Sequence, residues 1–486
     1  MENLVQEAIQ NVNLHAVMPS LILTVAGMAL LLVAVFSPRG KTTHVAWLSI
    51  ASLVVAGIVT IMGWNDIQYG FAGSVQLDNF AAFFSMICIV AAGLAILMSD
   101  EYLKRENFPV AEYYPLILFT TAGAMWMISG TDLITIFLGI EVLSVSLYVL
   151  AGFFRDQERC NESGLKYFFL GAFSTCFLLY GMALLYGVSG TTKIYDIAAY
   201  IQANPDATMN IMFIAGGLLM LTGFFFKIAA VPFHMWTPDV YQGAPTPITA
   251  FMSAGPKAAA FAALIRVTFI CLEGMQDQLT TVFWVLAVLT MTVGNLIALS
   301  QKDLKRMLAY SSIAHAGYAM VGLVAWNEIG MSGILFYMLV YTFMNMGAFA
   351  VLVLIGRRGE ENLTLDGISG LGFKQPMLGV AFCIFLFALM GLPPTAGFTG
   401  KFYIFAGAIN AGFIWLAVLG VLNSAVSLYY YLRVIIHMYF KDPQEDFSWV
   451  KIYPATALSI VISVVGVLYL GVVPGALMQF ARLAGF

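Results

Sequence analysis

The chain has 486 residues, of which 61% are hydrophobic and only 10% are charged, with a formal net charge of -4. Soluble domains carry about a quarter charged residues, so this composition excludes a water-soluble globular protein. The small negative charge also argues against nucleic-acid binding. Apolar runs of roughly 18–25 residues recur from end to end, each long enough to cross a hydrocarbon core. The sequence predicts an all-α polytopic protein embedded in the lipid bilayer.

The N-terminal segment MENLVQEAIQNVN is acidic and lacks the basic region of a cleaved signal peptide, so the first span is expected to be retained. The 5 cysteines are scattered and none forms a CxxC pair. Neither an iron–sulfur cluster nor a structural zinc site is therefore predicted, and we expect this chain to bind no metal or cofactor.

Fourteen membrane spans are predicted, near residues 16–36, 44–64, 79–98, 112–129, 132–153, 166–187, 210–236, 247–271, 279–299, 307–325, 331–355, 376–408, 411–437 and 453–475. With this count, most basic residues fall on one side: Arg39, Lys41, Lys104, Arg105, Arg155, Arg159, Lys166, Lys302, Lys305, Arg306, Arg357, Arg358, Lys374, Arg433, Lys441 and Lys451. Lys193 and Arg482 fall on the other side. The positive-inside rule then predicts that both termini lie outside the cytoplasm.

Four charged residues are predicted to lie deep in the membrane. In chain order they are Glu141 in the fifth span, Lys227 in the seventh, Lys257 in the eighth and Lys401 in the twelfth. Ionisable groups at this depth indicate a proton relay, an ion path or a structural ion pair between helices. Three lysines outnumber one glutamate, so at least two amines have no deep acidic partner. A lysine, unlike an arginine, can release its proton under these conditions, which favours proton transfer.

Two further charged residues have simpler interpretations. Asp132 stands at the start of the fifth span and is predicted to be a helix N-cap. Arg266 lies near the outer end of the eighth span, where its side chain is expected to extend to the interface.

Prolines and glycines interrupt the seventh and twelfth spans close to their lysines. They are Pro232 and Pro238 in the seventh span, and Gly391, Pro393, Pro394, Gly397 and Gly400 in the twelfth. Broken helices free backbone groups and are tolerated in a bilayer only where they line a cavity, so ordered water is expected beside both lysines. The seventh and twelfth spans run in opposite directions. Spans 4–8 and 9–13 are therefore predicted to be two inverted five-helix units.

Two histidines could extend the relay. His234 lies beside the break in the seventh span and His315 lies in the tenth. Histidine titrates near neutral pH and could pass protons between lysines, but a hydrogen-bonded packing role fits each of them equally well.

Four segments resemble one known family: FLGIEVLSVSLYVLAG, KIAAVPFHMWTPDVYQGAPTP, GNLIALSQKDLKRMLAYSSIAHAGY and GLPPTAGFTGKFYIF. They are similar to the antiporter-like membrane subunits of respiratory complex I, the bacterial NADH–quinone oxidoreductase. The likeness extends over residues 80–440; the block WTPDVYQGAP is specific, whereas the N-terminal spans are generic. The resemblance implies fourteen helices, two inverted repeats and a proton-pumping subunit without a redox centre of its own.

The family's relay positions match Glu141, Lys227, Lys257 and Lys401. Lysine at the last position differs from the glutamate of subunit M, and the chain lacks the lateral helix of the longer subunit L. Pro256 directly precedes Lys257, unlike many relatives, and could change the direction of that side chain.

Glu162 and Lys166 match further family positions, although a surface charge pair explains them equally well. The implied divisions are an N-terminal segment (1–111), a first repeat (112–272), a second repeat (273–438) and a C-terminal helix (439–486).

The resemblance also implies a place in the cell and a set of partners. The place is a bacterial inner membrane, and the partners are subunit M and the small membrane subunits. NADH, FMN, iron–sulfur clusters and quinone are implied in partner subunits. A subunit of a multi-subunit cation/proton antiporter is the alternative.

Overall fold

A computed structural model describes residues 12–37, 42–360, 362–443 and 451–485. Its helices are α1 (Met18–Phe36), α2 (Thr43–Met62), α3 (Asn79–Arg105), α4 (Tyr113–Ser129), α5 (Leu133–Ala151), α6 (Glu158–Ser189), α7 (Ile194–Ala203), α8 (Ile211–Ile228), α9 (Trp236–Gly243), α10 (Thr246–Arg266), α11 (Gln276–Ala298), α12 (Leu304–Ala325), α13 (Glu328–Ile355), α14 (Leu371–Lys374), α15 (Pro376–Met390), α16 (Ala396–Asn410), α17 (Ile414–Phe440), α18 (Pro454–Val472) and α19 (Gly475–Ala484). A short antiparallel hairpin, β1 (Gln68–Gly70) and β2 (Val75–Leu77), joins α2 to α3.

The helices reproduce the predicted all-α architecture with a somewhat different count. Twelve described helices are long and apolar enough to cross a membrane, or thirteen with the bent pair α14–α15, against the fourteen predicted. Helix α4, with 17 residues, and the broken pair α15–α16 account for the remaining predicted spans. The hairpin and the short helices α7 and α19 were not predicted. Arg39 and Lys41 of the predicted basic group lie outside the described residues.

Both predicted helix breaks are present. Helix α8 ends at Ala229, which has a left-handed φ of 62°, and the chain resumes as α9 seven residues later. Helix α15 ends at Gly391, which has a φ of 84°, and resumes as α16 at Ala396. Proline cannot donate the backbone hydrogen bond needed to continue a helix, so the interruptions follow from the sequence. In contrast, α10 continues through Pro256.

Four helices form the centre of the bundle. The apolar segments of α10 and α12 are entirely buried, and those of α13 and α3 are buried for 89% and 78% of their length. Helices α1, α6, α11, α17 and α18 surround them and expose large apolar side chains on their outer faces, as lipid contact requires. Of the four predicted deep charges, Lys257 lies on α10 and Lys401 contacts the Tyr318 ring of α12.

Glycines allow two matching helix pairs to pack at backbone contact. Between α4 and α5, a Cβ on Gly139 would lie 2.4 Å from the Met127 nitrogen. Between α11 and α12, a Cβ on Gly317 would lie 2.6 Å from the Met291 nitrogen. These are the first and second helices of each predicted five-helix unit, so the two units begin with the same type of close pair.

Basic residues from distant parts of the chain meet at one end of the bundle, which we name the basic end. Lys305 pairs with Glu360 at 2.6 Å, and Arg105 donates to the Val353 carbonyl at 2.6 Å. The opposite end contains the β-hairpin and Lys193, which donates to the Ala72 carbonyl at 2.8 Å. The contacts agree with the segregation of charge predicted from the sequence.

Candidate functional site

Lys227 lies in the last turn of α8, just before the break. Its Nζ donates to Ser144 Oγ of α5 at 2.6 Å. The ammonium also lies 5.8 Å from the ring centroids of Tyr148 and Tyr167 and 5.9 Å from that of Phe226. Three aromatic faces and one hydroxyl therefore hold this cation, a combination that stabilises charge without a carboxylate.

Glu141 and Lys227 do not form a direct ion pair, which was one of the possibilities that their depth in the membrane allowed. In the described residues no ion pair involves either side chain, and Ser144, one helical turn beyond Glu141, takes the hydrogen bond from the lysine. Glu141 Oε1 is buried without a hydrogen-bond partner in that part of the chain. Any effect of this carboxylate on the Lys227 ammonium therefore acts through space rather than through a contact.

Lys257 is the most central of the three lysines. It is 3% exposed, and its Nζ donates to the Ser312 carbonyl at 3.0 Å and to the Ser312 hydroxyl. Both groups belong to α12. A backbone carbonyl and a hydroxyl, both neutral groups, are therefore the observed hydrogen-bond partners of this amine.

Helix α12 connects Lys257 to Lys401 through one face. Ser312, His315 and Tyr318 are spaced three residues apart and therefore lie along the same side of the helix. His315 is buried and sits on this face between the two lysines. Lys401 Nζ lies 4.5 Å above the Tyr318 ring.

Both His315 nitrogens are hydrogen bonded. Nδ1 pairs with the Tyr337 hydroxyl at 2.5 Å and Nε2 with the Tyr431 hydroxyl at 3.2 Å. The side chain thus meets the requirement of a packing residue while lying between the lysines, so both interpretations of His315 stay open.

Lys401 binds the end of the broken helix itself. Its Nζ donates to the carbonyls of Leu389 at 3.1 Å and Met390 at 3.0 Å, and to Ser424 Oγ at 2.8 Å. These carbonyls belong to the last turn of α15, which the break leaves without helical partners. A Cβ at Gly391 would lie 3.0 Å from Lys401 Cδ, so glycine serves both the left-handed backbone and this close approach.

A cavity of about 640 Å³ reaches Lys401 and Ser424. Its other walls are mainly apolar and include Phe398, Phe402 and Val421. The cavity therefore leaves open space beside the Lys401 amine.

The three remaining candidates lie apart from this row of amines. Glu162 and Lys166 form an exposed i,i+4 pair at 2.6 Å on α6, and Lys166 also pairs with Asp239 of α9 at 2.7 Å. Arg306 binds the same Asp239 at 2.7 Å. This charge network lies at the basic end. Among the described residues, no hydrogen bond joins His234 to any of the three deep lysines.

Arg266 reaches the hairpin end of the bundle, where its partner Asp78 directly follows β2, but its side chain is enclosed by protein rather than exposed. It is 0% exposed and pairs with Asp78 at 2.9 Å, with its guanidinium 5.1 Å from the Phe80 ring centroid. Asp78 caps α3, and the two residues are 188 positions apart, so no local pattern announces the pair. The N-cap prediction for Asp132 is confirmed, since its side chain accepts from the Ile134 nitrogen at 2.8 Å.

Several contacting residues were missed from the sequence. Ser144, Tyr148 and Tyr337 each touch a relay candidate. The spacing of Ser144, three residues after Glu141, was a usable signal, because it places both on one helical face. No comparable signal marks Tyr337, which reaches His315 from a different helix.

The amino-acid sequence of this chain is similar to those of one known family. A family model described as NADH:quinone oxidoreductase/Mrp antiporter, TM, matches residues 130–427. NADH-quinone oxidoreductase subunit N of Trichlorobacter lovleyi is 57% identical over 480 residues, covering 99% of this chain and 98% of that relative. The chain belongs to the NADH-quinone oxidoreductase subunit N family. The resemblance seen in the sequence motifs is thereby confirmed.

Solved structures of other proteins also match this chain over nearly its whole length. A chain of respiratory complex I from Thermus thermophilus is 34% identical, with a TM-score of 0.81, and the match covers 96% of this chain and 100% of that one. A chain of the Mrp complex from Dietzia matches with a TM-score of 0.85 at 21% identity, covering 97% of each chain. At that identity the second likeness shows the fold alone. Within the described ranges, no group of three or more His, Cys, Asp or Glu residues could hold a metal ion.

Proposed function

We propose that this chain is a proton-translocating membrane subunit of NADH–quinone oxidoreductase, with Glu141, Lys227, Lys257 and Lys401 forming its proton relay. The observation that carries the proposal is the nature of the lysine partners. All three amines bind hydroxyls, carbonyls or aromatic rings, and in the described residues none contacts a carboxylate. Neutral partners do not fix an ammonium in its charged form, so each amine can accept and release a proton.

The relay would operate in the order of the lysines through the bundle. A proton taken up from the basic end loads Lys227, and Glu141 stabilises the charged form at long range. Weakening that interaction sends the proton to Lys257. The α12 face with His315 then connects Lys257 to Lys401, from which the cavity beside Ser424 leads away. The signal that changes the Glu141–Lys227 interaction comes from neighbouring subunits.

The assignment to complex I determines what the rest of the assembly supplies. Electron transfer from NADH to quinone, with FMN and iron–sulfur clusters, takes place in partner subunits, and this chain contributes transport. Its membrane neighbours are subunit M and the small membrane subunits. The location is a bacterial inner membrane with both termini on the outer side, and the two five-helix repeats span residues 112–272 and 273–438.

The relay is tested by Lys227→Ala and Glu141→Ala in the assembled complex in proteoliposomes. We expect the rate of proton pumping to fall by about tenfold or more in each variant, because a positioned acid or base contributes at least that much to proton transfer. Pumping is measured with a pH-sensitive dye and electron transfer as NADH oxidation. Lys104→Ala, which removes a part-exposed amine at the basic end, is the matched control.

Two outcomes would contradict the proposal. Wild-type pumping in both relay variants, with the complex intact, would exclude Glu141 and Lys227 from the path. Pumping that depends on Na⁺ in the wild-type complex would favour the alternative, a subunit of a cation/proton antiporter.

A further inference from the structure

A buried polar cluster joins α11, α12 and α17 next to Lys401, and Asn295 of α11 lies at its centre. The Asn295 side chain is 0% exposed. Its Nδ2 donates to the Tyr318 hydroxyl of α12 at 3.0 Å and to the Asn423 carbonyl of α17 at 3.1 Å. Its Oδ1 accepts from the Tyr430 hydroxyl of α17 at 3.0 Å. One side-chain amide therefore binds three groups on two other helices.

Two of the groups that contact Lys401 are attached to this amide. The Tyr318 ring lies 4.5 Å from Lys401 Nζ, and the hydroxyl of the same ring is bound by Asn295. The Ser424 hydroxyl accepts from Lys401 Nζ at 2.8 Å. The carbonyl that Asn295 binds, that of Asn423, belongs to the peptide unit directly before Ser424. Asn295 is therefore connected both to the ring and to the hydroxyl that hold this amine.

The contact between an ammonium and an aromatic ring depends on the position of the ring, because the cation must lie over the ring face within about 6 Å. The hydrogen bond from Asn295 fixes the hydroxyl end of the Tyr318 ring. A second contact joins the same two outer helices, since Asn423 Nδ2 of α17 donates to the Thr292 hydroxyl of α11 at 3.3 Å, one turn before Asn295. The ring that faces Lys401 is therefore held by α11, a helix that carries none of the four relay residues.

We propose that Asn295 is a positioning residue that acts on Lys401 through the Tyr318 ring and through the backbone of α17 beside Ser424. The inference rests on the proposed relay and adds a residue that the relay itself does not contain. Polar side chains between membrane helices also serve simply as packing contacts. Tyr430 distinguishes the two roles, because its hydroxyl binds the same amide at the same distance of 3.0 Å.

The titratable side chains around Lys401 come from three helices. Tyr318 and His315 lie on α12, with their ring centroids 5.6 Å apart. Tyr337 of α13 packs against α16, and the Tyr431 hydroxyl of α17 lies 3.2 Å from His315 Nε2. In the described residues no carboxylate forms an ion pair with Lys401. A substitution of the asparagine leaves all of these side chains in place, so a change in the pH dependence of pumping reports on how they are positioned around the amine.

The test measures protons pumped per NADH oxidised, as a function of pH, in the assembled complex in proteoliposomes. We expect Asn295→Ala and Tyr318→Phe each to shift the alkaline limb of this profile by about 0.5 unit towards lower pH, because a displaced ring stabilises the protonated amine less. The double variant should add no further shift, since one residue acts through the other. Tyr430→Phe is the matched control: it removes an equally buried hydroxyl from the same amide but keeps the bond to Tyr318, so its pH profile should match the wild type.

Complex content is measured for every variant, and if Asn295→Ala does not assemble, the comparison of Tyr318→Phe with Tyr430→Phe decides alone. A wild-type pH profile in Tyr318→Phe, or equal shifts in Tyr318→Phe and Tyr430→Phe, would overturn the positioning role. Lys401→Ala separates that failure from a failure of the relay. If Lys401→Ala stops pumping while the positioning role fails, the relay stands without Asn295. If Lys401→Ala pumps normally, the relay itself fails.

Discussion

At the scale of single residues, the three lysines within the membrane spans and the buried arginine have different kinds of partner. Arg266 has a carboxylate, Asp78, at 2.9 Å. In the described residues Lys227, Lys257 and Lys401 have only hydroxyls, carbonyls and rings. An arginine cannot lose its proton in a protein, so it needs a fixed counter-charge when buried. A lysine can lose its proton, and neutral partners preserve that freedom. The different partners therefore distinguish Arg266, a structural cation, from the three lysines, which are candidates for proton transport.

We predict that Asp78→Asn destabilises the protein by about 3–5 kcal/mol, because removing one member of a buried ion pair strands the other charge. The measurement is the thermal inactivation midpoint of the purified complex. Glu101→Gln is the control, since Glu101 pairs with Lys104 with both side chains about one-third exposed, and surface pairs contribute about 0–1 kcal/mol. Equal midpoints for the wild type and Asp78→Asn would show that the pair contributes nothing.

At the scale of elements, hydrogen bonds from a cluster of polar side chains at the basic end stabilise the junction between α9 and α10. Glu360, in the loop after α13, accepts from Lys305 at 2.6 Å, from the Tyr102 hydroxyl at 2.6 Å and from the Thr246 hydroxyl. Lys305 also donates to the Ala244 carbonyl at 2.7 Å. Ala244 and Thr246 flank the junction between the short helix after the first break and the helix that carries Lys257. Glu360 was not predicted, because its partners come from three distant segments of the chain.

Burial alone would raise the pKa of Glu360, but the Lys305 ammonium and the hydroxyl donors hold the pKa below its ordinary value of 4.5. A carboxylate whose pKa is lowered by folding stabilises the protein above its unfolded-state pKa, and this contribution disappears as the pH falls through the folded-state pKa. We predict that Glu360→Gln lowers stability by about 1–3 kcal/mol at pH 7. The difference from wild type should shrink below about pH 4.

Thermal denaturation of the complex between about pH 7 and pH 2, a range that extends below the ordinary pKa of a glutamate, measures this dependence. Glu162→Gln is the control, because Glu162 is exposed and its pair with Lys166 is solvated. If the stability difference between Glu360→Gln and the wild type stays constant across the whole pH range, the charge of Glu360 does not stabilise this junction.

At the scale of the whole molecule, the two predicted repeats share a pattern of packing and of breaks. Each begins with a helix pair in backbone contact, α4–α5 through Gly139 and α11–α12 through Gly317. Each carries a broken helix with a lysine near the break, Lys227 or Lys401. The breaks differ in detail, because Lys401 binds the freed carbonyls of Leu389 and Met390, whereas Trp236 Nε1 donates to the Phe226 carbonyl at the first break. The inverted-repeat division stays a prediction that this pattern supports.

The orientation of the whole chain is testable with introduced cysteines. We predict that Arg482→Cys reacts with a membrane-impermeant thiol reagent in right-side-out vesicles, and that Lys302→Cys reacts only in inverted vesicles, because basic loops stay in the cytoplasm. Both side chains are exposed in the structure. The wild-type chain, with its 5 native cysteines, gives the background. The reverse labelling pattern would place the termini in the cytoplasm.

The sequence by itself determined the class of protein, the approximate spans, the two helix breaks and the deep lysines. These features depend on local information: the length of apolar runs, the backbone chemistry of proline and glycine, and the number of charges within a span. The family followed from short motifs for the same reason.

Only the tertiary structure decided the partners of each charge. Ser312 is 55 residues from Lys257, and Asp78 is 188 residues from Arg266. Which side chains meet depends on the depth and rotation of helices packed from distant parts of the chain, and hydrogen bonds form only within about 3 Å. For this reason the serine that accepts from Lys227 and the aspartate that pairs with Arg266 could not be identified from the sequence.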